Sequence, residues 1–436
     1  MRLSYYKVFL VLVVFASAML CPWTNRVLGT SSIAASACVI AGDLISINDN
    51  PGQSTDDTYL LNLTVEQAGA MDEKAKTSLL ARYQDAFSRL IQQRKVQQAL
   101  DMMLKANQIF PSEQIVMLNV SGCHAMMDDW QKSLDFALKA LDVTQPQIHK
   151  SDSATVIAAA HNNAAQAYMK MKSSGKAIEH LKKALELQPD MGGSNYLMGE
   201  VLAEEGKHEE STVYFGKAFT VSPKSANPED YSYYGYALGK CGKKKEAIEI
   251  SKQGMERYPL YPGMHFNYAS MLSADKRNAE AIYELHVELL LFRGSGRYDT
   301  EQVLQFMGGL MKEVLGSTGS PDHEEVTLLL ASIKTQTSLN VLKTIEKSSS
   351  KHYLLNVFLA EAYANEGKNA MAKVQYQKVL ADAPFFVPAY VEMGQIYEAE
   401  KDMDNAVMLY KKAVSLMPDN WKVKALIKEH PELAPK

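Results

Sequence analysis

Two stretches of this chain, AIEHLKKALELQPD at 177–190 and AVMLYKKAVSLMPD at 406–419, are nearly the same line written twice. Each opens on Ala, carries Leu or Tyr four residues on and a second Ala three beyond that, and ends in Pro-Asp. A tyrosine precedes each opening Ala by nine residues (Tyr168, Tyr397), and a proline follows it by twelve (Pro189, Pro418). The same skeleton fits Ala99 to Pro111, Ser211 to Pro223, Ala247 to Pro259 and Ala372 to Pro384. Pro189 and Pro223 are 34 residues apart, as are Pro384 and Pro418, while Pro223 and Pro259 are 36 apart, with two residues inserted near Ala226 and Asn227. A fixed period of this size makes the chain an array of small supersecondary units, none able to bury its apolar face alone.

The residue types fit two helices per unit. Small residues stand where the helices must cross closely: Gly199 and Gly394 on the first, Ala177 and Ala406 on the second. A larger side chain there costs roughly 1–3 kcal/mol of packing strain. Tyr168 and Leu181 fill the space beside them. Proline cannot continue a helix interior, so it ends the second helix. Between the helices, EEGK (204–207), CGKK (241–244) and NEGK (365–368) set a glycine where the chain turns.

With this skeleton the unit resembles the tetratricopeptide repeat, a helix–turn–helix of 34 residues. The fullest copies are 158–191 (Ala164, Ala165, Tyr168, Ala177, Leu181, Ala184, Pro189) and 387–420 (Met393, Gly394, Tyr397, Ala406, Tyr410, Ala413, Pro418). Next come 192–225 (Met198, Gly199, Leu202, Phe215, Ala218, Pro223) and 353–386 (Leu359, Ala360, Tyr363, Ala372, Tyr376, Pro384). Copies at 80–113, about 114–147, 228–261 and 262–295 keep fewer landmarks. The resemblance implies an all-α fold, an α-solenoid of stacked repeats wound as a right-handed superhelix.

The expected organisation is a signal peptide or membrane anchor at 1–37, a flexible tether at 38–63 and a repeat array at 64–295. An extra helix and a degenerate repeat follow at 296–352, then two repeats at 353–420 and a capping helix and tail at 421–436. Thr64 is the expected N-cap of a helix running to about residue 87. Residues 148–157 lengthen one connection, and TEQVLQFMGGLMKEVL (300–315) and EEVTLLLASI (324–333) keep helical spacing without the Ala and Pro landmarks.

The start of the chain points to export. Arg2 and Lys7 precede an apolar run of 13 residues, Val8 to Leu20, which is short for a membrane span of about 20. Ala16-Ser17-Ala18 suits a cut after Ala18; an uncleaved anchor reaching from Tyr5 to about Leu20 is the competing reading. ASAC at 35–38 resembles a bacterial lipobox, with Ala35 where that motif usually has Leu, so lipidation of Cys38 is weighed against a plain thiol. Either route leaves the rest of the chain exported, periplasmic or membrane-tethered, with the N-terminal segment as its one membrane contact.

Charge and cysteine content narrow the function. With 46 Lys and Arg against 50 Asp and Glu, no basic footprint for nucleic acid exists. Four cysteines in 436 residues do not make a disulfide scaffold, and CxxC, HExxH and GxxxxGK[ST] are all missing from the sequence. The ten histidines are scattered; Cys123 and His124 are adjacent, which points them in different directions on a helix. No enzyme, metal or cofactor is expected, and no domain-sized stretch outside the array remains to house one.

Function is therefore expected in binding. The resemblance implies that the first helix of each unit lines a concave groove. In the middle of this chain the groove-facing positions are Asn162 and Gln166, Tyr196 and Glu200, Ser232 and Tyr236, and Phe266 and Ser270, with Asn163 and Tyr233 beside them. Tyr offers apolar area plus a hydroxyl, and Asn or Gln can bond an extended backbone. Family members that clamp an acidic chaperone tail carry Lys, Arg and Asn here; this chain has the Asn without the basic partners. Packing between neighbouring units is the alternative role for the tyrosines. The resemblance implies an interaction scaffold in the cell envelope whose partners are other proteins or extended peptides. Pilus, secretion, polysaccharide and outer-membrane machinery are the settings in which exported bacterial members often work. A self-associating structural subunit is the alternative. The lysine run 240–247 falls in an inter-helix turn and reads as a solvated loop.

Overall fold

The structure, a computed structural model, describes residues 58–143, 153–293, 300–316, 323, 326–327 and 352–435. The signal or anchor segment, Cys38, most of the tether and nearly all of the expected degenerate repeat lie outside the described residues. Helices account for almost everything seen, and no strand occurs among the described residues.

Two short helices, α1 (Thr58–Asn62) and α2 (Val65–Gly69), lead into α3 (Glu73–Gln92). Thr64 is the N-cap expected of it: its hydroxyl accepts from Gln67 N at 3.1 Å, and Gln67 Oε1 accepts from Thr64 N at 2.8 Å. The helix it starts stops at Gly69, because Asp72 caps a new one by accepting from Ala75 N at 2.7 Å. The end of the expected tether is also folded. Leu60 is buried, and the Tyr83 hydroxyl donates to its carbonyl at 2.6 Å.

Eight hairpins follow the period. They pair α3 with α4 (Val96–Ile109), α5 (Gln114–Met126) with α6 (Trp130–Leu141), and α7 (Ser153–Lys170) with α8 (Ser174–Leu187). Next come α9 (Gly192–Glu204) with α10 (His208–Val221), α11 (Pro228–Lys240) followed by α12 (Lys244–Arg257), and α13 (Met264–Ala274) with α14 (Asn278–Phe292). After α15 (Thr300–Gly316) come α16 (Leu354–Asn365) with α17 (Asn369–Asp382), α18 (Val387–Ala399) with α19 (Met403–Leu416), and the closing α20 (Trp421–Glu429).

The small residues do what the sequence requires of them. A Cβ on Gly199 would stand 2.8 Å from the Phe215 ring of α10, and one on Gly394 would run into the Tyr410 ring of α19. Ala99, Ala177, Ala247, Ala281, Ala372 and Ala406, all at one position of the second helix, are buried. In the two units with serine there, the hydroxyls turn inward: Ser211 Oγ donates to Gly199 O, and Ser133 lies 3.2 Å from Ser121 Oγ.

The described residues divide into two compact units, one ending at Cys241 and the other beginning at Gly242. The division falls inside the expected repeat 228–261. In the first unit α11 packs on α9 and α10, and in the second α12 packs on α13. Within the second unit, α14 is buried on nearly every side. His352 stacks on Tyr283 of α14 at 4.9 Å, and His286 of α14 meets Phe358 of α16 at 5.7 Å. His352 and Phe358 thus bring the start of α16 onto α14, and α15 packs on α14 as well, with Val303, Met307, Leu310, Met311 and Val314 in the same core. At the far end Asn420 Nδ2 donates to Leu290 O at 3.2 Å and Leu291 O at 2.8 Å, and Trp421 Nε1 to Leu290 O at 3.2 Å. The N-terminal end of α20 thereby satisfies C-terminal carbonyls of a helix some 130 residues earlier.

Candidate functional site

The first helices α5, α7, α9 and α11 of the first unit abut in sequence order, α5 on α7, α7 on α9, and α9 on α11. Their shared face is where the groove residues were expected, and the structure sorts those residues into three groups.

Five are buried: Asn162, Asn163, Gln166, Tyr196 and Glu200. Asn162 accepts from Ser194 Oγ of α9 at 2.9 Å, and Asn163 Nδ2 reaches Ser121 Oγ of α5 at 3.4 Å. Both amides tie one first helix to the next. Tyr196 packs differently. Its hydroxyl donates to Ser222 O at 3.0 Å, and its ring meets Phe219 edge-on at 5.3 Å. Tyr196 thus packs within its own hairpin, between α9 and α10, and not between neighbouring repeats.

Two, Tyr233 and Tyr236, are half-exposed on α11. The Tyr233 hydroxyl donates to Glu204 Oε1 at 2.8 Å, and the Tyr236 ring lies against His208 at 5.3 Å with Lys240 Nζ 5.1 Å from its centre. Ser232 back-bonds to Pro228 O at 2.9 Å, along its own helix. Phe266 belongs to the second unit, where it packs on Phe306 of α15 at 5.6 Å, and Ser270 bonds back to Phe266 O. Both stand in the second unit, apart in the division of the chain from the other eight.

Sequence reading missed the partner of Glu200. Asp230 is buried beside it at the start of α11, held by a reciprocal cap: Asn227 N donates to Asp230 Oδ2 at 2.8 Å, and Asp230 N to Asn227 Oδ1 at 2.9 Å. The cap was legible as Asn-Pro-Glu-Asp, but its closeness to Glu200 depends on how α9 and α11 stack. Burial, and then each other's presence, pushes the Glu200 carboxyl well above its ordinary range. Asp230 is also raised, chiefly by burial. Two carboxyls in one low-dielectric place disfavour each other's ionisation. Burial likewise raises the Tyr233 phenol, with Glu204 adding to the effect.

The second unit holds another buried polar group. His265 Nδ1 lies 2.6 Å from Glu284 Oε2, and His352 Nε2 lies 3.4 Å from Glu284 Oε1. Burial alone would lower His265, but the Glu284 bond and charge outweigh it and raise the imidazole; burial would raise Glu284, but the two histidines bring it down to about 2. Glu288 accepts from Gly263 N at 2.8 Å and so caps α13, yet burial pushes it up to about 7. Cys123 is buried and Cys241 half-buried, and neither forms a disulfide among the described residues. No group of three or more His, Cys, Asp or Glu able to hold a metal occurs among the described residues. No helix among them is long and apolar enough to cross a membrane.

Residues 158–191 and 387–420 each match the sequence profile of the tetratricopeptide repeat. The chain carries tetratricopeptide repeats. The two matched repeats are α7–α8 and α18–α19, one in each unit. No curated protein matches the chain. Among solved structures it is similar to YrrB, described as a TPR protein with an unusual peptide-binding site, at 18% identity and a TM-score of 0.36 over 47% of this chain and 96% of that one. It is also similar to PilW, a widely conserved type IV pilus biogenesis factor (19% identity, TM-score 0.34, 50% of this chain and 98% of that one). A third is pilF of Pseudomonas aeruginosa (14% identity, TM-score 0.29, 64% of this chain and all, 100%, of that one). Likeness at this level says nothing about partner or activity. Tetratricopeptide repeats as a class bind proteins or peptides and are not typically catalytic.

Proposed function

We propose that the first unit docks an extended segment of a partner protein across α5, α7, α9 and α11. The observation that carries this reading is the pair Tyr233 and Tyr236 on α11, partly buried where Asn162, Gln166, Tyr196 and Glu200 at the like positions of α7 and α9 are buried. Aromatic rings with one wet edge are the side chains that give binding area at low entropic cost. The chain acts as a scaffold of the cell envelope, without catalysis. The export reading rests on Arg2 and Lys7, the apolar run to Leu20 and the small residues after it.

The test is panning of a displayed dodecapeptide library against the full chain. Selected peptides should bind the Tyr233→Ala, Tyr236→Ala double variant about tenfold or more weakly, with helical circular dichroism unchanged. Equal binding by the variant sinks the groove assignment. Mass spectrometry of the mature N-terminus in the envelope fraction tests export; an intact Met1 in a purely cytosolic pool sinks it.

One observation favours the second reading, a self-associating subunit. Val374 on α17 and Met408 on α19 hold the same position in successive repeats and are 49% and 60% exposed, with Met371 and Met403 also exposed. Sedimentation velocity that shows a concentration-dependent oligomer, lost in Val374→Glu with Met408→Glu, would make that reading the better one.

A further inference from the structure

The histidines are scattered along the sequence, but the fold brings two of them together. His161 of α7 and His180 of α8 set Nδ1 against Nδ1 at 2.9 Å, with ring centres 5.0 Å apart. Both rings are half-buried, so protons from solvent can reach them. Tyr168, two turns along α7 from His161, meets the His180 ring at 5.4 Å. The pair differs from the other histidines in what it faces. His124 faces Asp129 at 3.6 Å, His265 and His352 face Glu284 at 2.6 and 3.4 Å, and His430 faces Glu398 at 3.3 Å. A proton on any of those rings gains a carboxylate. His161 and His180 face each other instead. The carboxylate that acts on both, Glu179 of α8, is already paired with Lys183 at 2.9 Å, and Lys183 opposes a charge on either ring. Lys176, also of α8, lies 5.3 Å from the centre of the Tyr168 ring. Helices α5, α6 and α9 pack on this hairpin too, and among the described residues none of their ionisable groups adds a charge that acts on either imidazole.

A neutral imidazole has one N–H and one bare nitrogen. Two Nδ1 atoms can therefore bond when one ring donates and the other accepts, and the bond survives one added proton. Two imidazoliums leave no acceptor between them and hold like charges in contact. Burial lowers both rings from the ordinary 6.5, and with the neighbouring His180 it brings His161 down to about 4. The contact thus contributes in full above 6.5 and is lost as pH falls from 6.5 toward 4, because the opened hairpin takes up protons that the closed one refuses. We infer that the His161–His180 contact is an acid-released fastener of the α7–α8 hairpin, closed while at least one ring is neutral and opened when both are charged. Asn162 and Asn163 tie α7 to α9 and α5, so a loosened α7 loosens its neighbours as well. The inference does not depend on the groove reading; if α7 also lines a groove, acid releases the occupant.

The test is hydrogen exchange of the full chain at pH 7.5 and pH 5, read by mass spectrometry of its peptides. After correction for intrinsic rates, amides of α7 and α8 should exchange about tenfold or more faster at pH 5. Those of α3 and α4, which contain no histidine, should keep their rates. His161→Asn supplies the residue that Asn195 holds at the like position of the next repeat. Its amide oxygen accepts from His180 whether or not that ring is charged, so most of the excess should vanish. His180→Gln, the residue of Gln375 at the like position of α17, does the same from the other side and serves if the first variant loses helicity. In the parent chain, proton NMR of labelled histidine should show two rings that titrate below 6.5 and disturb one another, a coupling absent from either variant. No excess at pH 5, or an excess that persists in the folded variants, overturns the fastener. So does an excess shared equally by α3 and α4, which marks general acid unfolding.

Discussion

One backbone position recurs in every hairpin, at the turn between its helices, and it is left-handed. Arg94, Asp128, Lys172, Lys276 and Lys401 take φ of 58, 58, 58, 64 and 67° there, and Gly206, Gly242 and Gly367 take 76, 73 and 72°. Only glycine enters this region without a Cβ penalty, about 1–2 kcal/mol for other residues. Lys401→Gly should therefore stabilise the second unit by about 0.5–1 kcal/mol after the gain in unfolded-chain freedom is discounted, read as a higher urea midpoint. A neutral or lower midpoint would mean that the lysine side chain contributes something the turn geometry does not show. Gly199→Ala should go the other way, by roughly 1–3 kcal/mol, because the new Cβ meets the Phe215 ring. The glycine landmarks were legible in the sequence; the same turn in the other five hairpins was not, because Arg, Asp and Lys carry no signal for it. The groove residues show a similar limit. Spacing finds the face of a first helix, but not what each side chain on it meets: Asn162 bonds to α9, Tyr196 to the end of its own hairpin, and Tyr233 to Glu204 of α9.

Among the elements, α14 departs most from a simple stack, and its sequence says why. NAEAIYELHVELLLF has no polar face wide enough for solvent, so the helix must be covered by more than its own hairpin. Coverage comes from α15, from the start of α16 and from the end of the chain. The landmarks before 295 and after 353 were readable, whereas the contact between them was not, since it depends on pairs such as His352 on Tyr283. Asn420→Ala should cost the second unit about 1–3 kcal/mol, because it leaves the Leu290 and Leu291 carbonyls short of a buried donor. Thermal unfolding followed at Trp421 reads it. The acids of α14 predict a pH profile for the same unit. Glu284 sits at about 2 in the fold against an ordinary 4.5, so its contribution is complete above 4.5 and is lost as pH falls toward 2. His265 is raised above 6.5, so its contribution is complete below 6.5 and is lost as pH rises through the folded value. Glu288 is raised to about 7, so the fold loses stability between 4.5 and 7, on the order of 3 kcal/mol. His286 of the same helix, lowered to about 4, adds stability as pH rises from 4 to 6.5 and offsets part of that loss, whereas Glu361 of α16, raised to about 7, adds to it; with both acids counted, the urea midpoint should fall from about pH 5 toward 7 as well as toward 2. Glu288→Gln should flatten the decline between pH 5 and 7 and leave the acid limb in place; an unchanged slope there would show that Glu288 stays ionised.

For the molecule as a whole, the division at Cys241 and Gly242 matters more than the repeat count. Arrays of this kind owe their stability to each unit's own terms and to nearest-neighbour interfaces. A break in the middle of one expected repeat, with α11 packed on α9 and α10 and α12 packed on α13, leaves each side with its own apolar core. On the second side that core runs from Tyr268 to Leu433. Sequence alone reads 228–261 as one more copy, because Gly235, Leu238, Ala247 and Pro259 all stand in place. Ser251 and Gly254, small residues at packing positions of α12, are both buried. The consequence of the division is that fragments 58–241 and 242–436, expressed separately, should each be helical and each unfold cooperatively, with far-ultraviolet spectra that sum to that of 58–436. A fragment that is unfolded alone, or a spectrum of the intact chain well above the sum, would mean that the α11–α12 repeat is a working link and that the two cores fold as one.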